Sequence, residues 1–134
     1  MASTPASASN RARRGLAALM ILEAVTLAVV STVHLSGLGG EGRSPYNPTA
    51  AGIAEAIIGV VLVAGAVALV RSAGRGRLTA QIATAFAVVG FLIGLTFTLL
   101  GGGPADTAYH FVVLPVLVVT FVLLSIRTKP RARR

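Results

Sequence analysis

From Leu16 to Leu38 the chain is apolar apart from a few hydroxyls and two ionisable side chains, Glu23 and His34. Three more apolar runs of similar length follow, with little sequence between them. A spanning helix needs about 20 mainly apolar residues, so each run is long enough to cross a bilayer once. Lipid offers no partner to backbone N–H and C=O groups, and a helix satisfies them within the segment. The expected fold is therefore all-α, an integral membrane four-helix bundle. Composition agrees. The 134 residues are 54% hydrophobic and only 12% charged, about half the ~25% of soluble domains.

The punctuation between the runs sets the boundaries. Residues 1–10 are small and polar with no apolar period, and residues 1–14 are expected to form a disordered basic tail. A single transmembrane domain is expected over 15–127, with spans at about 16–37, 49–70, 78–100 and 107–126. Residues 128–134 make a basic tail. Glycines 37, 39, 40 and 42 close the first run. Asn47-Pro48 is a helix start, with Asn as cap and Pro in the first turn. Gly101-Gly102-Gly103-Pro104 parts the third and fourth runs, and Asp106 reads as the N-cap of the fourth. The first run is longer than the 7–15-residue core of a cleaved secretory signal and lacks a clean A-x-A site, so it is read as a retained span.

The net charge of +8 raises the question of nucleic acid. The basic residues stand just outside the apolar runs, where they act as topology signals and touch lipid head groups, and no aromatic-interleaved basic surface accompanies them. Of the 12 basic residues all but Arg43 fall in the N-terminal tail, the loop between runs two and three, or the C-terminal tail. This asymmetry predicts both termini inside, an N-in/C-in plasma-membrane protein. Its expected partners are the bilayer, anionic head groups at the basic tails, and a second copy or another membrane protein, with no nucleic acid. There is no cysteine, which excludes disulfides, thiolate metal sites and thiol redox chemistry.

Helices in lipid associate through close backbone approach and polar contacts rather than by hiding leucine. The third run carries small residues at Ala83, Ala87, Gly90, Gly94, Thr98 and Gly101, centred on Gly90-x-x-x-Gly94, and is expected to pack through that stripe. Pro115 frees the Phe111 carbonyl and is expected to kink the fourth span.

The ionisable residues inside the runs are the candidate functional set. At about 1.5 Å rise per residue, His34 lies roughly 5 Å and Glu55 roughly 9 Å below the outer boundary, and His110 is at a depth like that of His34. Asp106 and Tyr109 sit just above and are secondary candidates. Glu23 is deeper, on the face of His34 but roughly 16 Å from it. An ionisable group costs about 2.5–3.5 kcal/mol or more at mid-bilayer, so each one implies a partner or a purpose. Three readings follow. His34, Glu55 and His110 are a ligand set suited to a transition metal, and the two imidazoles could bind one haem axially. Glu23, a carboxyl in lipid, could carry a proton that a cation displaces. Alternatively the polar groups hold the bundle together, with Asp106 as cap, Glu55 bonded to His110, and Glu23 bonded to Thr26 or to a hydroxyl of the third span. That reading describes a structural or accessory subunit. No catalytic constellation is apparent.

Two resemblances attach to these residues. Ala18-x-x-x-x-Glu23-x-x-Thr26, with four spans in a short chain, is similar to the small multidrug resistance transporters, which use a first-span Glu for proton-coupled cation export. The chain departs from them in having no Trp, in Glu55, and in its two histidines. Over about residues 14–127 it also resembles the small four-span membrane proteins frequent in actinobacterial genomes, on Glu23, His34 and the AGIAEAIIG stretch at 51–59. That resemblance implies the topology alone.

Overall fold

The structure, a computed structural model, describes residues 5–126. It is all-helical: α1 spans Pro5–Leu35, α2 Pro48–Arg71, α3 Arg75–Gly101 and α4 Pro104–Ser125. All four are long and apolar enough to cross a membrane. The expected spans sit inside these helices to within a few residues, except at the start of α1. That helix begins at Pro5, about three turns before Leu16. Its added turns contain Ala and Arg, which are good helix formers, so the helix runs on past its apolar stretch. The basic tail expected at 128–134 lies outside the described residues.

The helix ends follow local chemistry. Asn47 caps α2, its side-chain oxygen accepting from the Ala50 N–H at 3.0 Å, with Pro48 in the first turn. After α1, Gly37 takes the left-handed conformation (φ 76°) that ends helices. Asp106 does not cap α4. Gly103 is the cap residue, and Asp106 lies inside the first turn, which leaves its carboxylate free for other partners. Pro115 stands within an α4 that remains continuous on both sides of it.

Consecutive helices pack antiparallel, α1 on α2, α2 on α3 and α3 on α4, and α4 returns to touch α1. The packing inverts that of a soluble protein. Val60 is 70% exposed and Val112 66%, while Glu23, His34, Glu55, His110 and Thr120 are buried. Large apolar side chains turned outward suit a lipid surround and would be a liability in water.

Close approach occurs where glycine or alanine allows it. A Cβ on Gly65 would stand 2.7 Å from Ala83 Cβ and 2.9 Å from Met20 Cε, and one on Gly52 would stand 3.1 Å from the Ser31 carbonyl. Gly76 lies flat on the Ala68 carbonyl with no room for a side chain. The pair Gly90 and Gly94 faces α2 and α4. Gly90 makes space for the Ile58 side chain and Gly94 for the His110 ring, so the motif seats side chains instead of bringing two backbones together.

The arginine-rich end of the bundle has its own tie. Arg77 donates from Nε to the Leu124 carbonyl at 2.7 Å and from Nη2 to the Ile126 carbonyl, and Gln81 donates to Leu124 O at 2.8 Å. These bonds satisfy carbonyls that a helix C-terminus leaves open.

Candidate functional site

At the end opposite the arginines, four side chains from three helices and a loop meet. His34 stands in the last turn of α1, Glu55 two turns into α2, and Asp106 in the first turn of α4. Tyr46 comes from the loop between α1 and α2. That loop is placed by backbone pairing, with the Arg43 N–H donating to the Gly101 carbonyl at 2.9 Å and the Tyr46 N–H to the Arg43 carbonyl at 2.8 Å. Gly42 lies against the Tyr46 ring where a side chain would not fit. The loop thereby folds over the bundle end and buries its tyrosine.

His34 is the hub. Its Nδ1 is 2.8 Å from Glu55 Oε2, and its Nε2 is 2.9 Å from Asp106 Oδ1. The Tyr46 hydroxyl donates to Asp106 Oδ2 at 2.6 Å and sits 3.2 Å from His34 Nε2. Burial, the hydrogen bond to Asp106 and the neighbouring Asp106 and Glu55 charges push the Tyr46 phenol well above its ordinary range, so it stays a donor.

The two N···O contacts fix the charge of the cluster. Each is of hydrogen-bond length and needs one proton between its atoms. Those two protons are shared among one imidazole and two carboxyls. Whether both sit on the ring or one sits on a carboxyl, the three groups together carry a net charge of about −1. No Lys or Arg pairs with them, since both ion pairs among the described residues are those of His34. The first turn of α4 offers Asp106 the partial positive charge of a helix N-terminus, which is only a part of the compensation a buried anion needs.

His110, expected beside His34 and Glu55, takes a different position. Its Nδ1 is 2.9 Å from the Asp106 carbonyl one turn earlier, and its ring packs on Phe91 at 5.1 Å between centroids. It forms no bond to Glu55 or His34. It does share a cavity with Glu55. A space of about 600 Å³ opens between α2 and α3, with Glu55, His110 and Tyr46 on one side and Phe86, Phe91 and Phe97 among its apolar walls.

Glu23 forms a second polar point, deeper in the bundle. Its Oε1 is 2.7 Å from Thr120 Oγ1 on α4, and its Oε2 is buried without a partner among the described residues. The expected partners, Thr26 and the third span, are not used by its carboxyl. Thr26 instead donates to the Glu23 backbone carbonyl at 2.8 Å and meets the Tyr109 hydroxyl at 3.3 Å. Thr120 has one hydroxyl hydrogen and two acceptors in reach, Glu23 Oε1 and the Val116 carbonyl at 3.0 Å. The count closes when the carboxyl itself supplies the second hydrogen.

These bonds share a location. The α1–α4 contact is slighter than those between consecutive helices, yet it carries Glu23–Thr120, Thr26–Tyr109 and His34–Asp106. Polar groups of both helices thus meet along the seam that closes the bundle, beside the apolar core that Met20, Leu27, Leu117 and Leu124 share.

Tyr46 is the participant that sequence reasoning passed over, because a loop tyrosine carries no depth signal. Asp106, expected as a cap and as a secondary site candidate, is bonded to His34. Among the described residues no three His, Cys, Asp or Glu side chains are arranged to hold a metal ion. Both His34 nitrogens face carboxylates, and His110 lies apart.

No protein-family model matches the chain, and no curated protein or solved structure shows significant similarity to it.

Proposed function

We propose that this is a small multi-pass plasma-membrane protein, N-in/C-in, that binds a lipophilic cation at its outer end. One observation carries the reading: the Glu55 carboxyl belongs to a cluster of net negative charge and lines a cavity of about 600 Å³ whose other walls are largely apolar and aromatic. A cation entering that cavity from the lipid would supply the missing counter-charge. Phe86, Phe91 and Phe97 would meet its apolar substituents, and their ring faces attract cations by about 0.5–2 kcal/mol. The orientation rests on the basic residues, which crowd the end opposite the cluster.

A transition metal or haem held by His34, Glu55 and His110 is less well supported, because His34 has no ring nitrogen directed at an open position. A purely structural role is the second reading. It is favoured by the cluster's internal hydrogen bonding, which links α1, α2, α4 and the loop without any ligand. Proton-coupled export through Glu23 has less support than binding at Glu55, since Glu23 does not line the cavity between α2 and α3.

The experiment is equilibrium binding of tetraphenylphosphonium to the purified protein in detergent, beside Ala54→Phe, which fills the cavity from α2, and Glu55→Gln. Saturable binding by the native chain that both variants weaken roughly tenfold or more supports the reading. Absence of saturable binding, or binding indifferent to Ala54→Phe, overturns it in favour of the structural role. An absorption spectrum and elemental analysis of the same sample test the metal and haem alternative directly.

A further inference from the structure

The opposite end of the bundle holds a second groove, unrelated to the reading above. It runs between α1 and α2 at the arginine-rich end, encloses about 530 Å³, and is lined by Ala18, Ile21, Val67 and Val70, with Arg14 and Arg71 at its mouth. The sequence spacing explains its form. Positions 14, 18 and 21 follow one face of α1, and 67, 70 and 71 follow one face of α2. Ala17, Ala18 and Ala66 are too small to fill the space between the two stripes, which leaves a furrow open to lipid.

Neither guanidinium has a hydrogen-bond or ion-pair partner among the described residues. Arg77 at the same end is committed to the α4 carbonyls. Arg14 and Arg71 are thus two unspent cations that flank the entrance of an apolar channel from adjacent helices. Guanidinium groups match phosphate oxygens in charge and in the spacing of their donors. An apolar furrow beneath a paired cationic mouth is complementary to a molecule with a phosphate at one end and an alkyl chain at the other.

We propose that this groove is a specific site for one anionic glycerophospholipid, its phosphate between Arg14 and Arg71 and one acyl chain along Ile21, Val67 and Val70. The site differs from general attraction of the basic tails to the membrane, because it requires both the two guanidinium groups and the furrow.

Native mass spectrometry of the full chain released from micelles tests it, with phosphatidylglycerol and phosphatidylcholine of identical acyl chains as competing probes. The native protein should retain one phosphatidylglycerol in preference to phosphatidylcholine by roughly tenfold or more, the scale expected of two charges at the bilayer surface. Arg14→Gln/Arg71→Gln should lose that preference. Arg11→Gln/Arg75→Gln removes the same charge outside the groove and should keep it. Val67→Trp keeps every charge and fills the furrow, and should lower phosphatidylglycerol retention. Circular dichroism of each variant establishes that the helices remain. An equal loss in the Arg11/Arg75 pair, or full retention in Val67→Trp, shows diffuse attraction and overturns the site. A dimer of the chain in place of bound lipid, abolished by Val67→Trp, assigns the groove to a second copy and overturns it as well.

Discussion

Gly94 lies directly against the imidazole of His110, where a Cβ would stand 2.8 Å from Nε2. The ring is also fixed from the other side by its contact with the Asp106 carbonyl, so it has little freedom to retreat. Gly94→Ala is expected to cost about 1–3 kcal/mol, the usual range for overpacking. Gly90→Ala presents its Cβ to the terminal Cδ1 of Ile58 at 2.6 Å, an end that can rotate away, and should cost clearly less. Thermal unfolding in detergent, followed by circular dichroism, ranks the two. Equal effects would mean that His110 is not held as described.

Two buried threonines make a paired test of the polar seam. Thr120 supplies the Glu23 carboxyl with its hydrogen bond, whereas the Thr98 hydroxyl is buried with no partner among the described residues. Replacing one member of a buried pair costs about 1–3 kcal/mol, and removing an unpaired polar group costs little or is favourable. Thr120→Val should therefore destabilise by that amount, while Thr98→Val should be neutral or stabilising. Unfolding midpoints of the two variants decide the matter.

The Tyr46 phenol titrates above its ordinary range in the folded chain, through burial and then through Asp106. A group whose folded value is raised contributes stability that is present below the unfolded value, about 10 for tyrosine, and that is lost as pH climbs past it. Stability should be independent of this group's titration up to about pH 10 and then decline. Tyr46→Phe should lower stability by about 1 kcal/mol at neutral pH and flatten the alkaline decline. Denaturation curves between pH 8 and 11 provide the measurement, and an unchanged alkaline limb would exclude the Tyr46–Asp106 bond as its source.

The chain has no cysteine, which makes orientation simple to read. Ser44 and Ser72 are exposed on loops at opposite ends of the bundle. In intact cells, Ser44→Cys should react with a membrane-impermeant maleimide and Ser72→Cys should react only after permeabilisation. The reverse pattern would invert the proposed topology and place the His34 cluster on the cytoplasmic side.

How much of this was legible in the sequence depends on the kind of information each feature needs. The four spans follow from run length, and the Asn47 cap of α2 from its side-chain chemistry. Depth along an axis is also legible, since rise per residue is fixed, and it placed His34 and Glu55 at the same end. Rotation about the axis is not. A spanning helix is apolar on nearly every side, so periodicity does not say which face looks inward. The bond of Glu23 to Thr120, 97 positions away, and the separation of His110 from Glu55 both depend on that rotation. Asp106 admits two readings in sequence, cap or site member, because its first-turn position is the same whether it serves its own helix or a neighbour. Tyr46 depends on a loop path fixed by one backbone bond to Gly101, which local sequence does not encode.

The division of the cluster between the two hairpins bears on how the protein is made. His34 and Glu55 both belong to the first hairpin and face each other at 2.8 Å. Asp106 arrives only with the last helix. A chain synthesised from its N-terminus can pair these two ionisable groups as soon as α2 has been inserted, before α3 and α4 exist. The second half then docks onto a preformed imidazole, and the loop tyrosine closes over the junction. The interaction that completes the bundle is thus also the last one to become available, so the ribosome's own order of delivery enforces the order of assembly.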